Sequence, residues 1–210
     1  MTFFNRRALL AIAAVLFAGG CSSTAVMTDW RAPRDEISRR ERVAVVALMP
    51  EALQRLTVEQ EIVKVLRKSG RKALVSSDIP GLSGHLTRAA AEPALKAASV
   101  DALIVVNMTN GGKGKNLKDI DYYEKVVDPS FFDHGYDWFV PQFANVSTVQ
   151  EKKNKFTQQN YMYAEANYFD LVDDRADWSM VTRSKKLDYS DIAKKVGKEI
   201  ASRVKSTKTL

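Results

Sequence analysis

One cysteine stands among the 210 residues, at position 21, and there are two histidines, His85 and His134. A single thiol excludes an internal disulfide framework and any cysteine-cluster metal site. The two histidines lie far apart without metal-ligand spacing and leave little material for a histidine-based triad, so each reads as a loop or surface residue. No apolar run reaches the roughly 20 residues that a bilayer-spanning helix needs. Ten glycines and six prolines are too few for a collagen-like or low-complexity chain. Gly111-Gly112-Lys113-Gly114-Lys115 lacks the upstream glycine and the following Ser or Thr of a phosphate loop, and reads as a flexible cationic segment. Gly81-Leu82-Ser83-Gly84-His85 places its second glycine one residue early for a nucleophile elbow. The acidic pairs Asp119/Asp121 and Asp173/Asp174 lack the longer ligand series and closing glutamate of a calcium loop. No cofactor and no metal is expected. What is present, 45% apolar and 27% charged residues with 9% aromatics, is enough for one globular domain with a core.

The amino terminus carries an address. Arg6 and Arg7 precede an unbroken apolar run, Ala8 to Ala18, and then Gly19, Gly20 and Cys21. This order is that of a secretory signal. Small residues directly before a cysteine resemble the lipobox of bacterial lipoproteins, a resemblance that implies acylation of Cys21 and its exposure as the first mature residue. An ordinary signal peptide that happens to end near a cysteine, or a non-cleaved anchor, is the alternative. Ser22, not aspartate, follows the cysteine, which by the enteric sorting rule implies export to the outer membrane. Loss of residues 1–20 removes two of the 32 basic residues and none of the 25 acids, leaving a net charge of +5. Acidic partners such as lipid head groups or wall polymers fit that charge. Nucleic acid is not expected, since no recognised binding motif is present.

Along the mature chain, residues 21–41 read as an acylated tether: Ser22, Ser23, Thr24, Thr28, Pro33 and a charged cluster give no apolar period. A flexible segment of that length has an r.m.s. span of about 25 Å. Trp30 within it is expected either to insert at the membrane interface or to pack on the domain. Residues 42–210 read as one α/β domain with an aromatic insert at about 109–160. Val43 to Met49 is apolar on both faces, as suits a central strand. Thr57-Val58-Glu59-Gln60 matches a capping box, followed by Val58, Ile62, Val65 and Leu66 at helical spacing and by Gly70 as the helix stop. Lys72 to Ser76 is a second strand, and Leu86 to Ala98 contains a helix restarted at Pro93. Asp101 to Asn107 is a third strand. Strands alternating with helices imply a parallel sheet with right-handed crossovers. Tyr161 to Asp170 then alternates with period two, Asp173-Asp174-Arg175 is a turn, and Trp178 to Arg183 returns as its hairpin partner. Asp188 or Ser190 can cap a last helix with the stripe Ile192, Val196, Ile200 and Val204, whose basic side reads as solvated surface. The fold class is thus a mixed α/β sheet with a β-α-β-α-β start, a C-terminal hairpin and a terminal helix.

The insert contains Tyr136, Trp138, Phe139 and Phe143, together with a possible edge strand over 146–156. Exposed aromatic clusters are typical interface anchors, so these four are the candidate partner-binding residues. A lid packed over the sheet edge is the equal alternative.

Ala97-Ala-Ser-Val-Asp-Ala-Leu-Ile-Val-Val106 and Tyr168-Phe-Asp170 with Arg175 and Trp178 resemble two motifs of a group of envelope lipoproteins. The group comprises relatives of the curli-secretion-channel lipoprotein, lipoprotein activators of penicillin-binding proteins, and the amino-terminal domain of the Tol translocation protein. In this chain Ser99 replaces the group's usual glycine, and Asp173-Asp174 replaces Thr-Gly. The resemblance implies an α/β sheet and a hairpin turn; it implies no reaction. The expectation is a non-catalytic outer-membrane lipoprotein on the periplasmic side, an accessory or assembly factor that binds another envelope protein. Regulation of peptidoglycan synthesis is the alternative, and an envelope hydrolase the second class. The sequence leaves the oligomeric state open.

Overall fold

The computed structural model describes residues 24–31, 40–82, 87–113, 138, 160–185 and 188–204. The mixed α/β sheet has six strands: β1 (Thr24–Arg31), β2 (Arg42–Leu48), β3 (Lys72–Val75), β4 (Ala102–Lys113), β5 (Asn160–Asp170) and β6 (Arg175–Ser184), in the order β1-β6-β5-β4-β2-β3. Strand β2 pairs in parallel with both β3 and β4, whereas β4–β5, β5–β6 and β6–β1 are antiparallel. Helices α1 (Ala52–Lys68), α2 (Arg88–Ala97) and α3 (Tyr189–Val204), with a 3-10 turn at Ser76–Asp78, complete the described elements. The β-α-β-α-β start, the hairpin and the terminal helix follow the sequence expectation.

Alternation along the strands builds two cores. On one face Val45, Ile104, Ala166 and Trp178 pack under Ile62 and Leu66 of α1 and Val196 and Ile200 of α3. On the other, Ala44, Val46, Leu103 and Val105 pack under Ala91 and Leu95 of α2. Helices α1 and α3 approach closely at Gly197, where a Cβ would stand 3.2 Å from both Ile62 Cα and Val65 Cβ. A glycine in a helix interior costs about 1 kcal/mol relative to alanine, and here it admits the neighbouring backbone.

Three local expectations are corrected. Residues 24–31, expected within the tether, form edge strand β1, whose backbone pairs with β6 from Thr24↔Ser184 to Arg31↔Trp178. The Thr24 hydroxyl donates to Ser184 Oγ at 3.0 Å. Trp30 is therefore a strand residue, opposite Ser179; its side chain lies outside the described part. Helix α1 begins five residues before the expected capping box, after Glu51, and Thr57 Oγ1 donates back to Leu53 O at 2.9 Å. Hydroxyls inside helices make that i−4 bond when no terminus is near. Helix α2 runs without a restart through Pro93 from its N-cap Thr87, whose side chain accepts from Ala90 N at 3.3 Å. The expected strand over 146–156 lies outside the described residues.

Both crossover helices end alike. After α1, Gly70 N donates to Arg67 O and Arg71 N to Leu66 O; after α2, Ser99 N donates to Lys96 O and Val100 N to Leu95 O. This is the Schellman arrangement, which requires a left-handed residue after the C-cap. Gly70 supplies it at φ +88°, but Ser99 is held at φ +51°. A second non-glycine at φ +51° is Asp174 in the β5–β6 turn, a residue type that tolerates this region.

Two outcomes follow. Ser99→Gly removes a Cβ from a left-handed position and should stabilise the domain by about 0.5–1 kcal/mol, the gain being offset in part by the freer unfolded chain; an unchanged or lower denaturation midpoint would contradict it. Trp178 is fully buried in the first core, so Trp178→Ala should cost about 3–5 kcal/mol or unfold the domain, read as the urea midpoint.

Candidate functional site

The sheet has two distinct ends. At one, β2, β3 and β4 terminate, β5 begins, β6 ends and β1 begins; the parallel and antiparallel pairings place all of these together. Helices α1 and α3 start there because each follows a strand that ends there. Thr24 lies three residues after Cys21, a stretch of chain that reaches at most about 11 Å when extended. We call this the anchor end, after the expectation that Cys21 is acylated. The opposite end carries the β5–β6 turn and the starts of β2, β3 and β4.

The expected site residues are distributed as follows. Cys21, Tyr136, Phe139 and Phe143 lie outside the described residues. Trp138 is buried, 5% exposed, in the second core. Its ring lies 6.5 Å from that of Phe169, and the Arg88 guanidinium sits 4.7 Å over it. Trp138 is thus a core residue, not an exposed anchor, and the apolar floor formed by Phe169 and Ala176 explains why.

A buried carboxylate that the sequence presented as an ordinary helix residue ties the anchor end together. Glu59, 1% exposed, accepts from Ala47 N (2.9 Å), Ser76 N (3.0 Å) and the Ser76 hydroxyl (2.8–2.9 Å). It thereby joins α1 to β2 and to the 3-10 turn Ser76–Asp78 after β3. Burial pushes its pKa up, against the pull of these donors. Both carboxylate oxygens accept from backbone N–H groups, so the group acts as a fixed acceptor pair.

The opposite end is pinned by a denser set of charges. Arg40 grips fully buried Asp170 with two parallel hydrogen bonds, Nε to Oδ1 at 3.0 Å and Nη2 to Oδ2 at 2.9 Å. Asp170 Oδ1 also accepts from Val172 N and Asp173 N, closing the β5–β6 turn. Arg175 reaches Asp173 at 2.7 Å and Asp177 at 2.6 Å, and Arg71 Nη1 donates to Arg40 O at 2.7 Å. Asp174 pairs with Arg88 of α2. Burial alone would raise the Asp170 pKa, but the Arg40 guanidinium and the two N–H donors hold it below the usual carboxylate range. Asp170, Arg175 and Trp178, noticed in the sequence as one motif, therefore serve the turn and the core. The network around them spans 130 positions and has no local signal.

These perturbed acids each hold backbone or guanidinium groups in place. Among the described residues no three or more His, Cys, Asp or Glu side chains are grouped to hold a metal. A groove of about 660 Å³ runs between α1 and the 3-10 turn, lined by Leu56, Gln60, Lys64, Arg67, Ser77 and Asp78 among others.

For Asp170 the folded-state pKa is depressed, so its contribution is present above the unfolded carboxylate value of about 3.9 and is lost as pH falls below it through the folded value. Arg40→Ala leaves the buried carboxylate without its bidentate partner and should cost about 3 kcal/mol at pH 7. Asp170→Asn should flatten the loss of stability on acidification. Equal acid sensitivity in the parent and Asp170→Asn, followed by urea melts from pH 6 to pH 2.5, would contradict this.

No family model and no curated protein sequence matches the chain. Solved structures do: PelC from Paraburkholderia phytofirmans, a dodecamer, is 9% identical over 88% of this chain and 99% of that chain, with a TM-score of 0.47. A variant of PelC, also a dodecamer, gives 10% identity over 86% and 99%, with a TM-score of 0.45. A PDZ domain protein from Parabacteroides distasonis is 12% identical over 97% of this chain and 41% of that one, with a TM-score of 0.42. At such values these are distant likenesses of backbone layout, and none bears on the site, the partners or the assembly of this chain.

Proposed function

We propose that the protein is a non-catalytic lipoprotein of the outer membrane, anchored through Cys21 on the periplasmic side and acting as an accessory or assembly factor for another envelope protein. The observation that carries the reading is the amino-terminal order: two arginines, an eleven-residue apolar run, two glycines and the sole cysteine of the chain. A triacylated cysteine adds about 0.8 kcal/mol for each buried methylene and needs no spanning helix. Among the described residues no helix is long and apolar enough to cross a membrane. The internal use of Glu59, Asp170, Arg40 and Arg175 favours a binding body over a hydrolase, because each of these groups has a structural partner. The resemblance to envelope lipoproteins of the curli-secretion and penicillin-binding-protein-activator group points to the same compartment, and regulation of peptidoglycan synthesis is the variant of the proposal that it favours.

Metabolic labelling with palmitate tests the anchor. The chain should incorporate label and sediment with outer membranes, and Cys21→Ala should lose both. Undiminished label in Cys21→Ala would overturn the reading. Crosslinking in intact cells should then capture an envelope protein, and loss of a hydrolytic activity on substitution of a single acid would favour the hydrolase instead.

A further inference from the structure

We infer that the anchor end of the sheet is a membrane-facing surface, seated on the phospholipid bilayer with Leu53 as its exposed apolar contact and the β5–β6 turn directed away from the lipid. The inference rests on acylation of Cys21 and goes beyond it, since a lipoprotein on a long tether has no fixed orientation.

The argument begins with chain length. A tether of 21 residues would let the domain tumble tens of ångströms from the bilayer. Strand β1 removes most of it: Thr24 is already hydrogen-bonded to Ser184 within the sheet. Two residues, Ser22 and Ser23, then separate the acylated residue from Thr24, a span of at most about 11 Å. The end of the sheet that holds Thr24 is brought toward the membrane surface. By the pairing the end of β6 with exposed Lys185 lies beside Thr24, and the end of β4, the start of β5 and, four strands away, the first turn of α1 stand at the same end.

The exposed side chains agree with that placement. Among the described residues three large hydrophobics are exposed: Leu53 at 76%, Val172 at 60% and Val26 at 38%. Val26 lies two residues into β1 and Leu53 in the first turn of α1, so both are at the anchor end. Val172, in the β5–β6 turn, is at the opposite end of the sheet from Thr24. An apolar tip beside a lipid anchor gains by entering the interface, and a second weak contact next to an acyl group acts at high effective concentration.

Cys21 is the sole native thiol, so its acylation leaves any introduced cysteine as the only labelling site. The full acylated chain, carrying Leu53→Cys, Lys185→Cys or Val172→Cys, is labelled with an environment-sensitive fluorophore and reconstituted in phosphatidylethanolamine/phosphatidylglycerol vesicles. Probes at 53 and 185 should be quenched by spin-labelled lipid and shielded from aqueous iodide, and the probe at 172 should show the reverse. Equal lipid quenching at all three sites, stronger quenching at 172, or shielding at 53 and 185 without lipid quenching would overturn the orientation; the last of these would mean that protein covers the surface. Palmitate incorporation in the same preparation separates the two failures. A labelled, vesicle-bound chain with the wrong quenching order refutes the orientation alone, whereas a chain without label refutes the anchor and the orientation together.

Discussion

The parallel pair β2–β4 must be kept dry on both sides, and the arrangement of the molecule follows from that requirement. Val43 through Ala47 form five consecutive residues at 1% exposure or less, and Ala102 through Val106 are nearly as dry. A sheet covered on one face only would leave half of them in water, at about 25 cal/mol for each Å² of apolar surface. The crossovers meet the need. From β2 the chain moves one way to β3 and then back past β2 to β4, so two right-handed connections place α1 and α2 on opposite faces. Helix α3 extends the first cover across β5 and β6, and the glycine at 197 lets it close against α1 without a gap.

What was legible in the sequence is what that requirement writes locally. Unbroken apolar runs marked β2 and β4, period-two alternation marked β5 and β6, and Asp173-Asp174 marked a turn in which a left-handed residue was needed. Strand β1 was not legible. Thr24 to Arg31 mixes threonine, aspartate and arginine with small apolar residues because an edge strand takes its stability from pairing with β6, some 150 positions away. Local pattern contains no trace of that partner. The start of α1 was missed for a related reason: Glu51 makes no side-chain cap, whereas Thr57 and Gln60 imitate a capping box from inside the helix. The Schellman stop after α2 was half visible. The hydrophobic pair Leu95 and Val100 was in place, but serine stood where the motif asks for glycine.

The expectation of a signal and an acylated Cys21 rests on residue order alone, whereas the folded surroundings of the site are not written in that order. That the folded domain starts three residues later depends on β1. The polar pins were hidden in the same way. Glu59 sits in a run of polar helix residues and gives no hint that it accepts from two strands' worth of backbone, and Arg40 meets Asp170 only after the whole sheet has formed. Such pairs stabilise modestly against an apolar replacement but penalise any other register heavily, since a misplaced Asp170 would be buried without a cation. They specify the fold more than they strengthen it.

The two faces of the sheet are also chemically unequal. The face under α1 and α3 is apolar along most of its length. The face under α2 is apolar near the β5–β6 turn, where Phe169, Leu103 and Trp138 meet, and turns polar toward the anchor end. There Asn107 lies opposite Glu165, and Asn167 lies between Val105 and Ser179. Glu165, Asn167 and Ser179 are all buried, Asn167 Nδ2 donates to Glu165 Oε1 at 3.0 Å, and Asn167 Oδ1 accepts no hydrogen bond. A buried orphan acceptor costs about 1–3 kcal/mol. Strand β4 leaves the sheet and β5 re-enters it at this same polar end. Trp138, from between β4 and β5, is found on the far, apolar half of the face, and the near half calls for polar partners.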